Sequence, residues 1–276
     1  MASYMTVRRS FALLAAVLVT ACQSTLPASG PISRERIAEI VASPDRSAAD
    51  RSNDIRRKPE PMLAFIGVRP GMSALDVSAG GGYTTELIAR AVGPTGKVYG
   101  QSAPPDPNRA KPAAPEGGEA APAAIAPPRL TSAQRLAERA KNPAAGNFVA
   151  VVRPFEDPAP PELAGSLDLV TFMFNYHDLG YLNVDRTRMN RALFAALKPG
   201  GVYVVADHSG RPGTGISESG TLHRVEEALV RREIEAAGFR LAEEGNFLRN
   251  PNDPRDRNTP EPPMPKDEFV LKFIKP

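Results

Sequence analysis

Two parts of this chain place reactive side chains close together. The first is Asp76-Val77-Ser78-Ala79-Gly80-Gly81-Gly82, an acid followed by a run of glycines. The second is Asn175-Tyr176-His177-Asp178 together with Asp207-His208, each at the end of an apolar run. Glycines in a turn let backbone N–H groups approach a ligand, and a helix starting there adds unpaired N–H groups and the positive end of its dipole. Asp76 adds a carboxylate to such a pocket. A neutral imidazole can take a proton from an oxygen or nitrogen nucleophile near neutral pH. His177 is therefore the candidate base and Asp178 the residue that orients it, while Asp207 and His208 shape an acceptor pocket. The chain has three histidines, and two of them lie in these runs. The favoured reading uses no metal. A second reading joins the two His and two Asp into an open nitrogen-and-oxygen metal site. A third has them hydrogen-bonding loop backbones. His223, beside Arg224, is expected at the surface or the rim.

These groups need elements to position them. Residues 72–77 read as a strand and 83–92 as a helix, with the glycine turn between them. Further strands are expected at 97–101, 148–153, 166–174 and 202–206, the last after a Lys198-Pro199-Gly200-Gly201 turn. Residues 225–237 form an amphipathic helix ending at Gly238, a C-cap signal. Residues 239–243 and 268–274 read as closing strands. Strands alternating with helices make an α/β protein, in which ligands bind beyond the C-terminal strand ends. The strand-end groups are Asp76–Gly82, Gln101, Glu156 with Asp157, and 175–178. A dinucleotide fingerprint would need a third glycine where Thr85 stands and an acid about twenty residues after the glycines. Here the acid comes first.

That order, D-x-x-x-G-G-G, resembles motif I of the class I S-adenosylmethionine (SAM) methyltransferases. "LKPGG" before a β run is similar to the turn before that family's fifth strand. More narrowly, "GGGYTTELIA", "KVYGQ", "NYHDLGY", "LKPGGVYVVADHSG", "LHRVEEALVRREIEAAGF" and "LRNPNDPRD" resemble a bacterial group of exported, methyltransferase-like proteins with no defined substrate. The resemblance runs from about Pro61 to the C-terminus. It implies a Rossmann-like, doubly wound, seven-stranded sheet with six parallel strands and an antiparallel last strand. It also implies SAM as cofactor and methyl transfer to a small molecule, with a non-catalytic binding module on the same fold as the alternative. By the same resemblance Gly80 and Gly82 pass under the methionine and ribose, and Asp76 serves the methionine end. Ser78 and Asn175 belong to the same cofactor-facing set. Gln101 stands where the family has a ribose-gripping acid, and its uncharged amide implies a weaker grip. Asp157, or next Glu156, matches the acid that meets the adenine.

With 276 residues the chain suits one α/β domain with extensions. A net charge of +3, no tryptophan and no dense basic block argue against a nucleic-acid partner. Arg8 and Arg9 precede an apolar run at 11–21, too short to span a bilayer and suited to a secretory signal over 1–21. Leu18-Val19-Thr20-Ala21-Cys22 resembles a bacterial lipobox, which makes Cys22 the lipidated residue and 22–31 a tether. The expected location is the bacterial envelope, facing the periplasm, with the membrane as a partner through the acyl chains. Cys22 is the only cysteine, so no intramolecular disulfide forms. The domain then runs over 32–276. Helices are expected at 32–43 and 130–140, and a single covering helix from 47–58 together with 61–66. Arg56-Arg57-Lys58 reads as a solvated helix end. A Pro/Ala-rich insertion at 102–128 is a loop or a lid, and 250–265 is a second loop.

Overall fold

The computed structural model describes residues 1, 30–105, 130–260 and 263–276. The signal, Cys22, most of the tether and nearly all of the 102–128 insertion lie outside the described residues.

The strands are β1 (Ser73–Val77), β2 (Lys97–Ser102), β3 (Phe148–Val152), β4 (Leu167–Met173), β5 (Leu197–His208), β6 (Arg240–Gly245) and β7 (Glu268–Ile274). The helices are α1 (Arg34–Ala42), α2 (Ala48–Arg57), α3 (Pro59–Ile66), α4 (Tyr83–Val92), α5 (Ser132–Arg139), α6 (Asp178–Tyr181), α7 (Arg186–Ala196), α8 (Ser219–Leu222) and α9 (Glu227–Ala236). One seven-stranded sheet has the order β3-β2-β1-β4-β5-β7-β6. Strands β1 to β5 pair in parallel, and β7 runs antiparallel to both β5 and β6. The fold is thus the doubly wound sheet with an antiparallel last strand that the sequence implies. Its direction reverses between β1 and β4, where β1 has β2 on one side and β4 on the other, and this is the place at which such sheets bind ligands.

Alternation along the central strands supplies both faces of the core. Ala74, Leu169 and Val204 face a cluster with Ile37, Ile40, Leu63, Ile88, Val92 and Leu136. Their neighbours Leu75, Val170 and Val205 face another with Met189, Leu193, Val230 and Ile234. α1 and α3 each bury at least two apolar side chains. α2 buries only Asp50 and leaves Ile55 in solvent.

Three expectations about elements change. The single covering helix is two, α2 and α3, separated at Lys58, which sits left-handed at φ 43° and ψ 65°. Pro59 causes the break, because a residue before proline is pushed out of the right-handed helical region. The Lys198–Gly201 turn is a bulge inside the long β5. Leu167 pairs with Leu197, but Leu169 pairs with Val202, and Gly200 takes φ 76° to absorb the extra residues. The short helices α6 and α8 had no sequence signal. They pack so closely that a Cβ on Gly180 would lie 2.6 Å from Ser219 Oγ.

Candidate functional site

β1 delivers Asp76 to the sheet's leading edge, opposite Thr171 in the register with β4. Asp76 is buried, and its two carboxylate oxygens accept from Thr85 Oγ1 at 2.6 Å and Thr171 Oγ1 at 2.7 Å. Burial raises its carboxyl to about 6, against the opposing pull of the two hydroxyls and the Arg57 guanidinium. The chain then turns through Ser78 (φ 54°), Gly80 (φ 58°) and Gly82 (φ 82°) into α4. A Cβ on Gly80 would meet nothing nearer than Ser78 O at 3.9 Å, so strain and not crowding favours glycine there. Asn175 Nδ2 donates to Ser78 Oγ at 2.9 Å and ties the β4 exit to the turn.

A cleft of about 270 Å³ opens over this turn. Asp76, Ser78, Gly80 and Asn175 line its floor, and Asp50, Asn53 and Arg57 of α2 line its other wall. Arg139 links the walls. Its Nη1 donates to Asp50 and to Glu86, both at 2.6 Å, and its Nε donates to the Gly81 carbonyl. Arg46 pairs with Asp54 at 2.8 Å, and Tyr83 Oη donates to Asp54 at 2.6 Å. Arg57 lies 5.1 Å from the Tyr83 ring centroid and 4.9 Å from that of Phe174. Its Nε is buried without a hydrogen-bond partner among the described residues. The helix ends there as expected, with Arg56 and Lys58 exposed, and the expectation of a solvated end is corrected at Arg57. Arg57 lines the cleft, and Arg56 also stacks on Phe174 while pairing with buried Glu268 at 2.9 Å. Phe174 holds φ 63°, a costly value for an aromatic residue.

The expected ribose and adenine contacts are also corrected. Gln101 is fully buried and spent on the protein. Its Oε1 accepts from Ser78 N at 2.8 Å, and its Nε2 donates to the Arg153 carbonyl at 2.6 Å. It fastens the glycine turn to β2 and β3 and does not line the cleft. Asp157 pairs with Arg153 and is half-exposed, and Glu156 accepts a long bond from Asp185 N; neither lines the cleft.

Beyond β4 and β5 all three histidines of the chain converge. The His177 ring centroid is 5.4 Å from that of His208 and 5.5 Å from that of His223. Asp207, fully buried, accepts from His177 N and His208 N, both at 2.7 Å. Asp207 Oδ1 also lies 2.7 Å from His177 Nδ1, and Asp178 Oδ1 lies 3.0 Å from His177 Nε2. Burial alone would lower the His177 pKa, but Asp207 and Asp178 together lift it to about 10. The two carboxylates favour the charged ring, so His177 holds its proton more firmly than the free imidazole expected from the sequence. Asp178 meets His177 at Nε2 as expected, and Asp207 adds a second carboxylate at Nδ1. His208 is the opposite case. Burial holds it neutral, well below the usual histidine range. Its Nδ1 is 2.9 Å from Glu268 Oε1 but lacks hydrogen-bond geometry. Burial raises Glu268 to about 7, despite Arg56. His223 lies at the partly buried rim, as expected, but its neighbour Arg224 is fully buried and pairs with Asp253 at 2.9 Å.

Sequence reasoning missed Asp50, Arg57 and Arg139 in the cleft and His223 in the histidine cluster. A position on the helix expected to cover the first strand is the signal that could have found Arg57. Nothing in the sequence pairs residue 223 with residue 177.

The fold is that of the class I SAM-dependent methyltransferases. No family model and no curated protein matches the chain. Solved structures do. A SAM-dependent methyltransferase from Aquifex aeolicus aligns at 16% identity over 89% of this chain and 100% of its own, with a TM-score of 0.55. The cyclase SpnF aligns at 17% over 83% and 82%, with a TM-score of 0.53. An arsenic(III) S-adenosylmethionine methyltransferase from Chlamydomonas reinhardtii aligns at 17% over 87% and 73%, with a TM-score of 0.50. Identities this low speak for architecture alone.

Proposed function

We propose that this chain is a SAM-dependent methyltransferase acting on a small molecule. One observation carries the reading: a buried carboxylate, Asp76, and a cation with an unpartnered Nε, Arg57, line the same cleft over a glycine turn. That donor set suits the ammonium and carboxylate of an amino-acid end, and Gly80 leaves room beside it. The residues thus fit the methionine end of SAM. When bound, SAM supplies an electrophilic methyl on a cationic sulfur, whose departure needs no acid. Asp76 and Arg57 orient the amino-acid end, while Asn175 and Gln101 hold the turn in shape. His177 and His208, at the ends of β4 and β5, are the residues assigned to the acceptor side. The acceptor lies beyond β4 and β5, and the lack of a dense basic block in the sequence favours a small molecule over a nucleic acid. Calorimetry with SAM and S-adenosylhomocysteine tests the reading, and no binding at millimolar ligand refutes it.

A second reading is a binding module without methyl transfer. The inward turn of Gln101 and the pairing of Asp157 with Arg153 favour it, since neither residue serves a ribose or an adenine. Mass spectrometry of co-purifying small molecules separates the two: an adenosyl compound supports the enzyme, and a different ligand supports the module.

Envelope anchoring through Cys22, and membership of the exported bacterial group, complete the proposal on sequence grounds. Among the described residues no helix is long and apolar enough to cross a membrane. The expected mark of anchoring is a diacylglyceryl mass on Cys22, lost together with membrane fractionation in Cys22→Ser.

A further inference from the structure

We propose that His177, Asp178 and His223 form a three-ligand site for a divalent transition-metal ion, with Zn²⁺ as the type. The site does not depend on the methyltransferase reading, and none of its three residues lines the cleft over the glycine turn. Asp178 Oδ1 lies 3.0 Å from His177 Nε2 and 3.8 Å from His223 Nδ1, and the ligand atoms all fall within 4.8 Å of one another. Bonds of about 2.0–2.1 Å in a tetrahedral site set neighbouring ligand atoms about 3.3 Å apart, which lies between the two measured separations.

Two features beyond proximity build the site. The first is Asp207. Metal-bound histidines commonly give their second ring N–H to a carboxylate, which fixes the tautomer and aims the lone pair at the metal. Asp207 Oδ1 at 2.7 Å from His177 Nδ1 is that arrangement, and it is fully buried and braced by two backbone N–H groups. His177 Nε2 is then the ligating atom. The second is the packing of α6 on α8. Gly180 permits the approach, and Ser219 Oγ locks it, accepting from Tyr181 N at 2.9 Å and donating to the His177 carbonyl at 2.5 Å. α8 ends at His223, whose ring stands edge-on to His177 and to Tyr181. The packing thus brings a histidine from 46 positions along the chain to the other two ligands. Two imidazoles and one carboxylate favour a borderline ion over Mg²⁺ or Ca²⁺. Three protein ligands leave a position for water or an oxygen donor of a bound small molecule. The set differs from the two-His, two-Asp reading of the sequence: Asp207 stands behind His177, and His223 takes the place of His208.

The test uses the full chain, stripped with chelator and then titrated with Zn²⁺ and with Co²⁺ in the absence of SAM. One equivalent should bind, and Co²⁺ should give visible bands of nitrogen and oxygen coordination without a thiolate charge-transfer band. That last feature separates this site from Cys22. His223→Ala and Asp178→Asn should each weaken binding at least tenfold while leaving the far-ultraviolet circular dichroism unchanged. Asp207→Asn should weaken it about 10- to 100-fold with the stoichiometry preserved. Failure to bind one equivalent at sub-millimolar metal overturns the proposal, as does binding that His223→Ala and Asp178→Asn leave unaltered, or a thiolate band.

Discussion

Replacing Gln101 with glutamate would supply the acid that the resemblance places after the second strand, and from the resemblance alone it should tighten ribose binding. The structure predicts the reverse, a loss of stability with no gain in affinity. Gln101 Nε2 donates to the Arg153 carbonyl at 2.6 Å in a fully buried setting. In Gln101→Glu the donor is replaced by an oxygen facing an oxygen. The lost hydrogen bond is worth about 1 kcal/mol, and a buried, unsatisfied group costs about 1–3 kcal/mol more. A charged carboxylate there would cost further, so burial raises the pKa of the new side chain above the ordinary carboxylate range and favours its protonated form. As a protonated acid it donates to Arg153 and closely mimics the amide. The sign follows from linkage. Where the native pKa is raised, stability is complete below the unfolded value and is lost as pH rises through the native one. Urea unfolding should therefore show the variant within about 1 kcal/mol of wild type at pH 5 and about 3 kcal/mol less stable at pH 8. Equal midpoints at pH 8, or a variant that binds SAM more tightly than wild type, would refute the inward assignment of Gln101.

Asp76→Asn keeps the shape of the cleft floor and removes its charge. SAM affinity by calorimetry should drop about 10- to 100-fold, the equivalent of a charge-assisted hydrogen bond of ~1.5–3 kcal/mol; unchanged affinity would displace the amino-acid end from Asp76. Glu268, held near 7 in the fold against an ordinary 4.5, binds a proton that the unfolded chain releases. Wild type should thus lose stability relative to Glu268→Gln as pH rises from 4.5 through 7, by about 3 kcal/mol in all, and thermal melts at pH 5 and pH 8 should show the gap widening. Asp253→Ala leaves the fully buried Arg224 uncompensated. It should cost about 3–5 kcal/mol by chemical denaturation, far more than removing an exposed pair such as Arg36 with Glu39.

What could be read from the sequence was local. The acid ahead of the glycines, the strand and helix on either side of the turn, and the apolar runs of β4 and β5 all announce themselves within a dozen residues. What escaped depends on partners far along the chain. Gln101 looked free because Ser78 N and the Arg153 carbonyl lie 23 and 52 positions away. His177 looked like a free imidazole because the carboxylate that raises its pKa sits 30 positions on, in another strand. Arg57 looked solvated because the rings beneath it, Tyr83 and Phe174, meet only when α2 folds back over the strand ends. Residue type and position could be inferred, but protonation and hydrogen-bond partners are set by packing.

The wall that α2 forms is fastened differently from everything beneath it. It buries no apolar side chain and is joined to the body through the pairs of Asp50 with Arg139 and of Arg56 with Glu268, the Tyr83–Asp54 hydrogen bond and the stacking of Arg56 and Arg57 on Phe174. Dissolved ions weaken such polar fastenings in proportion to their exposure, most of all at Arg56, whereas interdigitated hydrocarbon is indifferent to them or gains. Traffic through the entrance and endurance of the whole molecule consequently answer to separate solvent variables. A rise in ionic strength can quicken exchange at the mouth while the melting point stays where it was.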